Sequence, residues 1–284
     1  MTRTTEVLLS AGIAALLLAP AMSDASTLYC VAGGTTATCT PSSPTPLSSN
    51  FSVSGGTASA VAGLTSNPAS LGAKAIATGT GASNGYATAK AAFSGFQVTF
   101  SGPSAGATTT SLNLSLSGSM SPGSSYMFAD LTLVTVLSGS QGSVTGNGSL
   151  GLSVQPQPGP FPGPPMMMTS SSGILSGKTP IGGTFSTPAL SIVSGDTVLL
   201  DMSIVVSAQC SNQGVGCTAS ADYLNTLKFV EGVPVFNLPS GWTANSADGS
   251  IVNNLLVAVP EPSTCALIAI PLLGLSASRR RRAS

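Results

Sequence analysis

The chain has 284 residues, a formal net charge of zero and only 6% charged residues. Soluble globular proteins usually carry roughly 25% charged residues, and a helical bundle needs Glu, Lys, Arg and Leu in quantity, so this composition argues against one. Most of the basic residues lie at the two termini, which leaves a mildly acidic body and excludes a nucleic-acid-binding surface. The chain has no histidine, and this excludes Ser-His-Asp and Cys-His catalysis and a His-ligated metal.

Residues 1–25 are typical of a secretory signal peptide. Arg3 stands in a short polar lead, an apolar run extends from Val7 to Ala19, and small residues surround Asp24. We expect signal peptidase to cleave after Ala25. An uncleaved anchor is the alternative, but about 13 apolar residues are few for a hydrocarbon core of ~30 Å.

The next two segments give weak structural signals. Residues 26–50 are rich in Ser, Thr and Pro and are predicted to form a tether or an irregular edge. Residues 55–85 consist largely of Gly, Ala, Ser and Thr, so any strand there is expected to be weak. The β-rich extracellular domain is predicted to span 51–258.

Alternation of apolar and polar residues then predicts half-buried strands. The apolar positions are Phe96, Val98 and Phe100 in one stretch and Leu112, Leu114 and Leu116 in the next. The stretch 127–139 is more continuously apolar and is predicted to be a central strand, with 142–155 as its partner. Further strand signals follow at 186–195, from 196 to 210, where Asp196 would start a strand after a Ser194-Gly195 turn, and from 221 to 230. The sequence therefore predicts an all-β fold.

A proline-rich segment at 155–169 interrupts these strands. The interior of a sheet does not tolerate so many prolines, so we expect a surface loop of polyproline type or a boundary within the domain. Its three successive methionines, Met166–Met168, are expected to cover an apolar edge.

Four cysteines outside the C-terminal apolar segment form two local pairs, Cys30 with Cys39 and Cys210 with Cys217. Export to an oxidising compartment favours disulfides, and proximity favours these two pairings among the three connectivities. By chain entropy each bridge contributes roughly 2 to 3 kcal/mol. Bound metal is the alternative, but the spacings are too wide for a zinc knuckle.

No catalytic, cofactor-binding or metal-binding set is predicted. Asp222, Glu231 and Asp248 are the carboxylates that a polysaccharide hydrolase would need to bring together, although scattered acids in turn-like contexts are usually solvated. Asp196 and Asp201 are expected to point to opposite faces, with at least one capping a turn. Calcium bound by aspartates and carbonyl oxygens is an open alternative.

Two aromatic residues also leave alternatives open. Trp242 is predicted to be a core or edge aromatic residue, or a stacking platform for a glycan. In the second case, Tyr223 and nearby acids would complete a carbohydrate-binding site.

Three elements follow one another at the C-terminus, in 259–284: the motif Val259, Pro260, Glu261, Pro262 and Ser263, an apolar run from Thr264 to Ser278, and the cluster Arg279, Arg280, Arg281 and Arg282. The run is about 22 Å long as a helix. A polybasic cluster behind it stays on the cytoplasmic side and stops transfer. The two prolines of the motif favour an extended backbone before the helix.

These three elements in this order resemble the PEP-CTERM sorting signal of Gram-negative bacteria that make extracellular polysaccharide. The resemblance implies recognition of Pro260, Glu261 and Pro262 by an exosortase, a membrane-embedded cysteine protease or transpeptidase that removes the helix. A plain tail anchor is the alternative. More loosely, Phe236–Pro239 and Gly241 resemble the segment that precedes such signals, which implies a jelly-roll-like antiparallel β-sandwich as the exported body.

The combined expectation is an exported, non-enzymatic protein with a structural or adhesive role in exopolysaccharide or biofilm. Its precursor would be anchored in the inner membrane and its product would lie on the outer surface or outside the cell. Signal peptidase and exosortase would act on it during export, and extracellular polysaccharide is the expected partner. A carbohydrate-binding module is the first alternative, and a carboxylate-dependent hydrolase is the second.

Overall fold

The computed structural model describes residues 27–32, 35–37, 47–53, 56–66, 70–79, 85–103, 106–122, 127–155, 166–210, 216–230, 232–247 and 249–257. Only the backbone is described for the part before Leu71. The predicted signal peptide and the predicted sorting signal lie outside these residues. Within them, no helix is long and apolar enough to cross a membrane.

The described residues form strands and no helix. The strands are β1 (Thr27–Ala32), β2 (Thr35–Ala37), β3 (Leu47–Val53), β4 (Gly56–Ser66), β5 (Ser70–Gly79), β6 (Gly85–Ser101), β7 (Thr108–Thr110), β8 (Asn113–Ser117), β9 (Ser119–Pro122), β10 (Met127–Gly139), β11 (Gly142–Gln155), β12 (Met166–Gly173), β13 (Gly182–Ser186), β14 (Leu190–Ile192), β15 (Thr197–Cys210), β16 (Cys217–Phe229), β17 (Thr243–Ser246), β18 (Ile251–Val252) and β19 (Leu255–Leu256). The prediction of an all-β fold is confirmed.

Two antiparallel sheets contain most of these strands. Sheet A has the order β12-β11-β10-β15-β6-β1-β2, with β17 also paired to β6. Sheet B has the order β13-β8-β16-β5-β4-β3, with β9 also paired to β16. The sheets pack face to face in a sandwich-like arrangement, in which β5 contacts β6 and β15. As predicted, β10 is a central strand, because β11 and β15 pair with its two sides.

Alternation of side chains creates the interface between the sheets. Along β15 every second residue is buried, from Val198 to Cys210, because successive side chains of a strand point to opposite faces. The two alternating sets predicted from the sequence are also buried: Phe96, Val98, Phe100, Leu112, Leu114 and Leu116. One face of each sheet therefore contributes to a common core.

Side-chain size in this core changes along the strands. At one end, which we call the alanine end, the inner faces of β5, β6 and β16 carry the buried residues Ala73, Ala75, Ala77, Ala87, Ala89, Ala91, Ala219 and Ala221. At the other end, which we call the phenylalanine end, the buried aromatic residues are Phe93, Phe96, Phe100, Phe229 and Phe236. Both ends belong to one hydrophobic cluster.

An irregularity in β6 marks the passage between the two ends. The register between β6 and β15 shifts where Phe93 pairs with Met202 and Phe96 pairs with Leu200. Gly95 lies in this β-bulge with φ of 76°, a conformation that glycine adopts without steric cost. Its N–H donates to Asp201 Oδ1 at 2.7 Å. The bulge is therefore closed by a side chain of the neighbouring strand.

Both weakly patterned segments form strands, and the first lies at the edges of the two sheets, which was one of its two predicted alternatives. Residues 26–50 contain β1 and β2 and the start of β3, and 55–85 contain all of β4 and β5. The Gly, Ala and Ser residues of β4 and β5 have low strand propensity, but pairing of these two strands with each other and of β5 with β16 supplies the hydrogen bonds. Alanine also fits the buried face of β5, where neighbouring strands leave little room. Non-local pairing therefore outweighs local propensity here.

The predicted boundaries of the proline-rich loop were wrong. Strand β11 extends to Gln155, and β12 begins at Met166, directly after the last proline. Met166–Met168 belong to a strand at the edge of sheet A, which pairs on one side with β11. These methionines are 51–65% exposed. The intervening residues 156–165 lie outside the described part of the chain.

Candidate functional site

The segment before the predicted sorting signal is fastened to the body by Asn254. Val252 pairs with Leu255, so Asn253 and Asn254 form a two-residue loop, and their φ angles of 51° and 65° are those of a type I′ turn. The side chain of Asn254 accepts a hydrogen bond from the N–H of Phe236 at 2.9 Å and donates to its C=O at 2.8 Å. Asn254 is buried, so the turn and the segment around Phe236 are fixed together.

Phe236 and Asn237 attach this segment to both sheets. The ring of Phe236 is fully buried and meets Phe100 edge-to-face, with 5.0 Å between the centroids. The amide groups of Asn237 and Asn113 donate to each other at 2.9 Å in both directions. Asn113 and Asn237 line an open groove of about 440 Å³ together with Phe185 and Val233. Because its amides already bond to each other, the groove offers little unused hydrogen-bonding capacity.

The described part of the chain reaches close to the predicted motif. The N–H of Val257 donates to the C=O of Ser250 at 2.8 Å, and Val257 is the last described residue. A fully extended chain advances by at most ~3.6 Å per residue, so the Cα atoms of Val257 and Pro260 are no more than about 11 Å apart. The motif residues Val259, Pro260, Glu261, Pro262 and Ser263 lie outside the described residues, as does the cluster Arg279, Arg280, Arg281 and Arg282, and their roles stay predictions.

Trp242 is a partly buried aromatic residue at the phenylalanine end. Its indole ring lies against the backbone of Gly102, where a Cβ atom would come within 2.3 Å of Trp242 Cε2. The ring also packs against the hydrophobic cluster. The prediction of a core or edge aromatic residue is confirmed. A glycan contact at Trp242 stays a prediction, and the surface next to Gly102 is already occupied.

Tyr223 was wrongly included in the carbohydrate-binding alternative. Its side chain is fully buried, packs on Gly118, and donates a hydrogen bond from its hydroxyl to the C=O of Pro180. Burial raises the pKa of this phenol above its ordinary value. A signal for this burial was present in the sequence, because Tyr223 falls on the same face of β16 as Ala219 and Ala221.

The carboxylates show structural roles. Asp222 forms an ion pair with Lys74 at 2.5 Å, across β16 and β5, on the outer face of sheet B. Asp196 is buried and accepts hydrogen bonds from Ser140 Oγ at 2.5 Å and from the N–H of Val193 at 2.8 Å. The expectation that an aspartate caps a turn is therefore confirmed.

The hydrolase alternative needs a second carboxylate next to Asp222. Glu231 and Asp248 lie outside the described residues, so that arrangement is untested. Among the described residues, no three His, Cys, Asp or Glu side chains are grouped as metal ligands would be.

Asp130 is a carboxylate that the sequence analysis did not single out. It lies on the outer face of sheet A, and its Oδ1 is buried without a hydrogen-bond partner in the described part of the molecule. Burial raises the pKa of the carboxyl group, and a hydrogen bond with Ser207 partly opposes this shift. The neighbouring residues in "MFADLTL" gave no indication that this carboxyl group would be partly buried.

Cys210 and Cys217 form the predicted disulfide, with 5.9 Å between their Cα atoms. Both residues are buried, and the bridge joins the end of β15 in sheet A to the start of β16 in sheet B. The bridge therefore fastens the two sheets together at the alanine end. Cys30 lies in a strand of which only the backbone is described, and Cys39 lies outside the described residues, so their pairing is untested.

Comparison with known proteins adds no assignment. No protein-family profile matches the chain, and neither a curated protein nor a solved structure matches it significantly.

Proposed function

We propose that this chain is an exported protein of the cell surface or extracellular matrix, with a structural or adhesive role and no catalytic one. One observation carries the proposal: an apolar segment and four consecutive arginines follow a Pro-Glu-Pro motif at the C-terminus. A polybasic cluster after a short apolar segment stops transfer on the cytoplasmic side. In this proposal signal peptidase removes 1–25, and an exosortase recognises Pro260–Pro262 and removes the apolar segment.

The body has properties that suit this role. It is an all-β domain with few charges and a disulfide between its sheets, and disulfides persist in oxidising compartments outside the cytoplasm. The body also extends to Val257, so the covalent chain keeps the motif within about 11 Å of the folded domain. An exosortase in the membrane would therefore act with the body close to the membrane surface.

We also propose that the two-sheet arrangement is a sandwich of jelly-roll type. The chain crosses between the sheets from β5 to β6, from β9 to β10 and from β15 to β16, as successive strands of a jelly roll do. In contrast, β3–β5 and β10–β12 each stay within one sheet. An experimental structure in which β5 and β6 share a sheet would contradict this topology.

Deletion of Pro260–Pro262 tests the sorting proposal. We expect the deleted protein to accumulate at full length in the inner membrane, whereas the wild-type protein loses its C-terminal segment. Replacement of Arg279–Arg282 by four lysines is the matched control, since it keeps the charge that sets the topology, and processing should continue. If the deletion leaves the size and location of the protein unchanged, the segment is a tail anchor and the sorting proposal is wrong.

A further inference from the structure

Two aromatic side chains share the outer face of sheet A in one cross-strand row. Tyr86 of β6 and Phe128 of β10 both lie directly opposite Gln209 of β15, so the three side chains point to the same face. Neighbouring strands are ~4.8 Å apart, which places the attachment points of the two rings about 10 Å from each other. The rings are 43% and 44% exposed. We call these three residues the aromatic row.

The orientation of one ring favours a flat platform. Thr88 Oγ donates a hydrogen bond to the hydroxyl of Tyr86 at 2.7 Å, and Thr88 is two residues farther along β6 on the same face. The phenol ring therefore leans along the strand and does not stand upright on the sheet. A ring in this position presents a face to solvent.

A row of oxygen atoms lies beside the aromatic row. Asp130, Ser207 and Thr88 lie in register across the same three strands, each two residues nearer the middle of its strand than the aromatic row, at a distance of about 7 Å. Thr88 Oγ and Ser207 Oγ are 3.3 Å apart, and the partly exposed Asp130 lies opposite Ser207, with its Oδ1 buried. Aromatic faces and hydrogen-bonding groups are thus presented together.

We propose that this face binds an extended neutral polysaccharide laid across β10, β15 and β6. The C–H face of a pyranose ring stacks on an aromatic ring, while its hydroxyl groups point sideways and bond to polar side chains. Rings about 10 Å apart suit alternate sugars of an extended β-linked chain. The two rows contain one carboxyl group and no lysine or arginine, which favours a neutral polymer over an anionic one.

This inference names the partner surface for the adhesive role, and its biological meaning rests on the proposed function. The site differs from Trp242, which lies at the opposite end of β6 beside Gly102. It also differs from the motif and arginine cluster, so the two proposals fail independently. A chain that binds polysaccharide but stays full-length in cells would overturn the sorting proposal alone.

Affinity electrophoresis of the full-length chain in mild detergent tests the site. The native gels would contain a mixed-linkage β-glucan, a xyloglucan or a galactomannan, with alginate as the anionic comparison. We expect at least one neutral polysaccharide to retard the wild-type protein more than alginate does. The double variant Tyr86→Ala/Phe128→Ala should bind at least about tenfold more weakly, since each aromatic contact is worth a few-fold in affinity.

Two control variants separate this site from general effects. Leu199→Ala removes a side chain that is 42% exposed on the same face, and binding should not change. The conservative variant Tyr86→Phe/Phe128→Tyr keeps both rings and should bind within about twofold of the wild type. The proposal is overturned if none of the neutral polysaccharides retards the wild-type protein, if alginate retards it more, or if the double alanine variant binds as well as the wild type.

Discussion

The alanine end and the phenylalanine end of the core are built in different ways. At the phenylalanine end, large rings such as Phe100 and Phe236 fill the space between the sheets, and each ring buries a large apolar area. At the alanine end each side chain buries a single methyl group, which contributes little on its own. The backbones approach closely instead: a Cβ atom at Gly85 would lie 2.7 Å from the backbone of Thr78.

The Cys210–Cys217 bridge belongs to the alanine end. There it joins the two sheets where most of the buried side chains are alanine. The phenylalanine end is joined by side chains, through Phe236 and the hydrogen bonds of Asn254. The comparison shows that the two sheets of one core can be joined by a disulfide at one end and by aromatic packing at the other.

Removal of a ring at the phenylalanine end should have the largest effect. Phe236→Ala leaves a cavity beside Phe100 and should lower the free energy of unfolding by roughly 3–5 kcal/mol. Phe128→Ala is the matched control, since that ring is 44% exposed, and it should cost less than about 1 kcal/mol. Urea unfolding followed by circular dichroism measures both. Equal losses would show that the phenylalanine end is not packed as described.

Removal of the disulfide should weaken the alanine end. Cys210→Ala/Cys217→Ala frees a loop of eight residues in the unfolded chain, and the chain-entropy estimate gives a loss of about 2.5 kcal/mol. The same urea titration, with and without reductant, measures the effect. Reductant should destabilise the wild-type protein more than the variant, and an equal effect on both would contradict a bridge at this position.

Overfilling the alanine end should test its close packing. Ala89→Leu adds three carbon atoms to a fully buried site and should cost roughly 1–3 kcal/mol of unfolding free energy. Gln97→Leu introduces the same side chain at an exposed site of the same strand and should change stability by less than about 0.5 kcal/mol. A neutral or stabilising Ala89→Leu would mean that the sheets are farther apart than the structure shows.

The smallest effect is expected from loss of the two hydrogen bonds between the Asn254 side chain and the backbone of Phe236. Asn254→Gly keeps the φ angle of the turn but leaves the backbone groups of Phe236 unpaired, at a cost of roughly 1–2 kcal/mol. Asn253→Gly also keeps the turn, and Asn253 is exposed, so it should be nearly neutral. Thermal unfolding of the two variants gives the comparison. A loss from Asn253→Gly as large as that from Asn254→Gly would assign the effect to turn geometry.

The sequence predicted the phenylalanine end better than the alanine end. Alternation of large and polar residues located β6 and β8, because half-buried strands expose every second side chain, and further apolar stretches between turn signals located β10, β11, β15 and β16. It missed β1 to β3, which lie in or next to a segment rich in Ser, Thr and Pro, and β4 and β5, where Gly, Ala, Ser and Thr carry almost no hydrophobic contrast between faces. These strands form because non-local partners complete their hydrogen bonds, and a local pattern does not contain that information.

Parts of the candidate site depended on similar long-range contacts. The pairing of Asn254 with Phe236 joins residues 18 positions apart, although the Asn253-Asn254 dipeptide between apolar pairs was a readable hairpin signal. The aromatic row joins three strands that are distant in sequence, so only the sheet order brings Tyr86 and Phe128 together. In contrast, the Cys210–Cys217 bridge was predictable because both partners are local.

The intact mass of the mature protein tests the central claim most directly. Protein recovered from the cell surface or the culture medium should lack the signal peptide and end before the apolar segment, so Arg279–Arg282 should be absent from its mass spectrum. Exported protein that still carries these four arginines, or a product found in the cytosol, would contradict the account.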